Sequence, residues 1–321
     1  MTARFSLALL AALTAAMLLS LFAGKVWLPL SAFTPSDPRW LIIAELRLPR
    51  TLLAAIVGAG LGISGAAMQG YLRNPLADPG LFGVSAAAAL GAVVSMFFGV
   101  GAPPWLLPAF ALAGAGAAMA LLALLVGRSG SMIVFTLGGV IIASLAGAMT
   151  ALAISLAPTP FATAQIVTWL MGALIDRSWA DVWLALPLVA LGIALLGLTG
   201  RDLDALTLGE AAAQSMGVDP ARLQALVVVG VGLCVGASVA TAGIIGFVGL
   251  IVPHLVRSFA GHRPSAVLLP SGLAGALLLV AADSVVRVAP TVSELRLGIA
   301  MSLLGAPFFL ALLLRMRRQL P

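Results

Sequence analysis

The chain has 321 residues, 62% of them hydrophobic and only 9% charged, with a mean hydropathy of +1.16. No soluble globular protein hides that much apolar surface, whereas a bundle of membrane-spanning helices needs about 20 apolar residues per pass. The net charge of +6 comes from arginines in the polar breaks, which reads as membrane topology and not as nucleic-acid binding.

In lipid every backbone polar group must be satisfied internally, which leaves helices or closed barrels. Apolar runs of helical length, not alternating ten-residue segments, decide for helices. The expected fold is therefore all-α, a single membrane domain over residues 1–321. In chain order it has ten spans, at roughly 5–28, 50–71, 80–100, 105–127, 132–157, 181–200, 223–241, 243–260, 266–288 and 297–316. The first apolar stretch resembles a signal peptide, but it is long and lacks a small-residue cleavage site, so it reads as a retained helix. Ile166 to Ile175 is apolar but too short to cross, and is expected at the outer surface.

An even number of spans puts both termini on one side. With the N-terminus inside, ten positive residues face the cytoplasm and seven face outward, which favours that orientation. The outer group, Lys25, Arg39, Arg47, Arg50, Arg177, Arg287 and Arg296, runs against the bias and needs a separate reason. Glycines at four-residue spacing, Gly58 with Gly62 and Gly232 with Gly236, suit close helix packing.

Between the sixth and seventh spans lies the longest polar stretch, Arg201 to Arg222. Thr207 followed by Glu210 has the spacing of a capping box, three alanines favour helix, and Gly217 is placed to end it in a left-handed turn. A helix of about nine residues does not hold alone in water, so a partner is expected to dock there. Such a segment is what a transporter offers a soluble motor.

Catalytic and cofactor motifs are missing. Gly60-Leu-Gly62-Ile-Ser-Gly65 fits the dinucleotide pattern but lies inside a span, and no phosphate-binding loop with its lysine exists. ATP hydrolysis is therefore expected on a separate subunit, with no catalytic residue, metal ligand or cofactor in this chain. His254 and His262 read as structural, with His254 hydrogen-bonded, rather than as a metal pair. Cys234 reads as core. Asp283, four residues before Arg287, reads as a local ion pair and not as a proton relay.

Three segments resemble the permease family of bacterial importers for iron chelates, haem and vitamin B12. They are Leu46-Arg47-Leu48-Pro49-Arg50-Thr51, Gly65-Ala66-Ala67-Met68-Gln69, and Arg73-Asn74-Pro75-Leu76-Ala77-Asp78-Pro79. Leu208-Gly209-Glu210 with Gly217, the run from Ala242 to Arg257, and Gly305-Ala306-Pro307-Phe308 fit it as well. The resemblance implies a ten-helix subunit in the bacterial inner membrane that pairs with a second copy. Two cytoplasmic ATPases and a periplasmic or lipid-anchored substrate-binding protein complete that machine. It also implies a cytoplasmic coupling helix carrying Thr207, Gly209, Glu210 and Gly217, a cytoplasmic gate at Asn74 and Leu76, and docking of the binding protein on Arg47, Arg50 and Arg287. The implied cargo is a siderophore complex or haem, with vitamin B12 as the alternative and an ion-coupled carrier more remote. Two departures stand out. Glu294-Leu295-Arg296 has an arginine where the family has proline, and the loop from Gly127 to Ser131 does not match the second half of the gate.

Overall fold

A computed structural model describes residues 2–98, 103–127, 132–290 and 294–317. The described residues are helical and contain no strand. In order the helices are α1 (Thr2–Phe22), α2 (Leu48–Tyr71), α3 (Val84–Phe98), α4 (Leu106–Val126), α5 (Met132–Ser155), α6 (Pro160–Leu170) and α7 (Trp179–Leu198). After these come α8 (Gly200–Leu206), α9 (Glu210–Ser215), α10 (Pro220–Ala242), α11 (Val248–Ala260), α12 (Pro264–Val288) and α13 (Leu297–Arg317). Each expected span falls on one helix. Among the described residues seven helical segments are long and apolar enough to cross a membrane, and α3, α11 and the Leu297–Leu312 part of α13 are shorter apolar stretches.

Three boundaries differ from expectation, each for a local reason. The third span starts at Val84, because Asp78 accepts the Gly80 N–H at 2.8 Å and caps a separate turn, Pro79–Phe82. The eighth starts at Val248, because Gly243 and Phe247 both have positive φ and break the helix. Phe247 is the costlier of the two, since a bulky side chain rarely adopts that conformation. The first helix ends at Phe22, six residues early, where the chain turns toward the Arg47 side chain.

Helices α2 and α10 form the centre. In each, 78% of the apolar window is buried, against 28% for α4, α5 and α7. The tightest seam runs between α2 and α12. A Cβ on Gly58 would collide with the backbone of Gly275, and one on Gly62 with the carbonyl of Ser271. Small residues there let the two backbones touch, which drives helix association in lipid, where the hydrophobic effect between helices is absent. The short helix α6 is capped by Thr159, whose hydroxyl accepts the Ala162 N–H. It covers the region in which no crossing helix was expected.

Candidate coupling and gating sites

Helix α2 ends one residue before a tight reversal. The Asn74 N–H reaches the Gln69 carbonyl at 3.1 Å and the Arg73 N–H reaches Gly70 at 3.2 Å, which places Arg73 in the left-handed region at φ 50°. A non-glycine residue there costs roughly 1–2 kcal/mol. The Asn74 side chain offsets part of this by accepting the Leu76 N–H at 2.9 Å. Asn74 is exposed at the mouth of the bundle and Leu76 is half-buried. Pro75 and Pro79 stiffen the rest of the turn.

The polar segment is a pair of short helices, not one. Thr207 does not cap α9: its hydroxyl turns back to donate to the Asp204 carbonyl at 2.7 Å. The cap position belongs to Gly209, at φ 102°, where only glycine sits without strain. The reciprocal capping pattern occurs instead at α7, where Asp181 accepts the Ser178 N–H at 2.9 Å. Gly217 does end α9 as expected. At φ 90° it donates to Gln214, while Val218 donates to Ala213, the paired bonds of a left-handed helix terminus.

Of α9 only Ala213 is buried; Glu210, Gln214 and Ser215 are exposed. Leu208 and Met216, at the two ends, expose 67% and 64% of their surfaces. Asp204 anchors the hairpin by accepting from the Ser265 N–H (2.9 Å) and hydroxyl (2.6 Å) and from Arg263 (2.9 Å) at the start of α12. Burial alone would raise the Asp204 carboxyl, but these bonds outweigh it and hold it below the usual carboxylate range. Glu210 also meets Arg73 at 3.5 Å, so the hairpin touches the turn bearing Asn74. Beneath it lies a cavity of about 180 Å³, lined by Tyr71, Met132, Glu210, Gln214 and Asp219 among others.

At the opposite end, Arg47, Arg50 and Arg287 are not surface prongs. They are 9%, 8% and 4% exposed. Arg50 grips Asp283 with two nitrogens at 2.8–3.1 Å and reaches Glu294 at 2.9 Å. Arg287 bonds the other Asp283 oxygen at 2.8 Å and the Ser20 hydroxyl at 2.6 Å. Arg47 donates to the Leu21 and Val26 carbonyls at 2.8 and 2.7 Å. The expected Asp283–Arg287 pair exists, but it belongs to a larger clamp joining α1, α2 and α12. No local pattern could reveal Arg50, which lies 233 positions from Asp283.

The two histidines have unlike surroundings. His254 packs edge-on against Phe308 at 5.9 Å and its Nδ1 lacks a hydrogen-bond partner, which corrects the expectation of a hydrogen-bonded histidine. His262 is exposed on the turn before α12. Among the described residues no group of three potential metal ligands occurs. Most of the loop between α4 and α5, residues 128–131, lies outside the described residues.

Residues 12–315 match the FecCD transport family. The chain belongs to that family. It is 39% identical over 318 residues to the vitamin B12 import system permease protein BtuC of Shigella boydii, covering 98% of this chain and 96% of that one. It is 42% identical over 289 residues to the uncharacterized ABC transporter permease YvrB of Bacillus subtilis, covering 88% and 81%. A solved metal-chelate type ABC transporter in an inward-facing conformation superimposes with a TM-score of 0.89 at 32% identity, covering 97% of this chain and 99% of the other. The chain is a multi-span ABC importer permease of the FecCD type. Its relatives are transport permeases.

Proposed function

We propose that this chain is the transmembrane subunit of an ATP-driven importer for a metal chelate, either a corrinoid of the vitamin B12 class or an iron chelate such as a siderophore complex or haem. The near-full-length likeness to a vitamin B12 permease carries this reading and supports the corrinoid. The likeness to a metal-chelate transporter supports the broader chelate class. The apolar helices α3, α11 and α13 count as further crossings, giving ten spans with both termini in the cytoplasm. Irregular backbone buried in protein, such as Pro79–Phe82 before α3, extends the shorter ones through the bilayer.

In this reading two copies form the pathway and the α8–α9 hairpin faces the cytoplasm. Leu208 and Met216 flank Glu210 as apolar anchors for the ATPase. Movement of the hairpin reaches Asn74 and Leu76 through the Arg73–Glu210 contact, so coupling residues and gate act as one unit. Arg47, Arg50 and Arg287 serve docking indirectly. Three arginines against Asp283 and Glu294 leave a positive frame behind the outer face, which steers an acidic binding protein. An ion-coupled carrier lacks support here, because Asp283 is committed to two arginines.

The test is uptake into vesicles that hold the permease with its ATPase and binding protein. ATP-dependent accumulation of labelled cobalamin, a ferric siderophore or haem identifies the cargo. Failure of all three to accumulate with ATP overturns the reading.

A further inference from the structure

A cavity of about 240 Å³ opens beside the turn that ends α2, and the coupling mechanism does not use it. Its polar lining is Gln69, Arg73, Thr207, Arg257 and His262, with apolar walls from α2 and the start of α12. No carboxylate lines it. Arg73 spends one nitrogen on Glu210, at the long distance of 3.5 Å. Arg257 has no ion-pair partner among the described residues; its one close bond goes to the neutral Gln69 Oε1 at 2.8 Å. The Gln69 amide nitrogen faces the Gly249 and Leu250 carbonyls at 3.4 and 3.3 Å, so its oxygen is turned toward the guanidinium. Asp204, the other acid near this end of the hairpin, is committed to Arg263 and Ser265.

A half-buried guanidinium without a counter-charge is costly unless an anion completes it. Arginine suits phosphate because its planar fork donates two parallel bonds, and Thr207 and His262 add further donors. Size excludes the transported cargo, since pockets for drug-sized molecules start at about 300 Å³. Leu255 (50% exposed) and Leu269 (62%) lie two residues from the lining positions Arg257 and Val267, on the outward faces of α11 and α12. They offer acyl chains an apolar surface on the two helices that line this basic pocket. We infer that this cavity binds a phosphate-bearing anion, either the headgroup of an anionic lipid or free phosphate.

The inference does not depend on the importer reading, and its test uses the full-length permease alone in detergent. Thermal unfolding is followed with added phosphatidylglycerol, phosphatidylcholine or inorganic phosphate. Phosphatidylglycerol is expected to stabilise the parent more than phosphatidylcholine does. Arg257→Gln is expected to weaken that response about tenfold in lipid concentration, as for loss of one charged hydrogen-bonded group. Arg222→Gln, the same charge change on an exposed residue outside the cavity, is expected to keep it. A matching, competing response to inorganic phosphate identifies free phosphate as the source; a response to the lipid alone identifies the headgroup. Should Arg257→Gln fail to fold, His262→Ala on the exposed turn carries the test, with a weaker response expected. The inference is overturned if every cavity variant that folds responds as the parent does, or if Arg222→Gln loses as much. It is also overturned if neither probe acts on the parent.

Discussion

The guanidinium of Arg73 lies 3.5 Å from the carboxylate of Glu210, joining the turn that closes α2 to the first residue of α9. Both side chains are about half exposed, at 41% and 54%. A pair this open to water contributes at most about 1 kcal/mol, so it can form and break during a transport cycle. Arg73 also contacts the sulfur of Met132 at 4.0 Å, bringing the start of α5 to the same point.

Glu210→Ala should therefore leave the melting temperature of the permease close to the parent's while lowering ATP-driven uptake. Arg73→Gln should act in the same direction. Combining them should cost little more than either alone, because both remove one contact. Fully additive losses would show that the residues act separately.

At the other end the expectation is reversed, with a large stability effect. Asp283 holds Arg50 and Arg287 together in a nearly dry site. Asp283→Asn leaves two arginines facing each other without their shared carboxylate and should destabilise the fold by about 3–5 kcal/mol. Glu294→Gln should cost less, since Glu294 is 22% exposed and Arg50 keeps its two-nitrogen grip on Asp283. Thermal unfolding in detergent compares the two. Equal melting of Asp283→Asn and parent would remove the clamp from the account.

The helices and their order were legible in the sequence because apolar runs of spanning length admit few other structures. Gly217 was legible too, since a glycine after an alanine-rich turn has one common use. Thr207 misled because its spacing to Glu210 is right, yet the chain breaks at Gly209 into two helices and the hydroxyl is consumed by Asp204. Arg47 and Arg50 looked like surface charge because their partners lie far away in sequence or on the backbone, whereas the Asp283–Arg287 pair was legible from its four-residue spacing. The contact between Arg73 and Glu210 joins two segments read for separate roles, and nothing local to either predicts it.

Asp204 gives the hairpin a dependence on pH. Its folded carboxyl lies below the usual range, so its contribution is fully present above the unfolded value of about 4 and is lost as pH falls through the lower folded value. Asp204→Asn should reduce stability by about 1–2 kcal/mol at pH 7. The gap between variant and parent should close below about pH 4. A gap that stays constant down to pH 3 would mean that the charge of Asp204 does not anchor the hairpin.

The central claim is that the α8–α9 hairpin faces the cytoplasm and seats the ATPase. The chain's one cysteine, Cys234, is fully buried, so a thiol introduced at Met216, which is 64% exposed, can be addressed selectively. Met216→Cys should cross-link to the ATPase in membranes and resist a membrane-impermeant thiol reagent applied to intact cells. Trp27→Cys, at the opposite end and 62% exposed, should do the reverse. Labelling of Met216→Cys from outside, with its cross-link to the ATPase absent, would contradict the account.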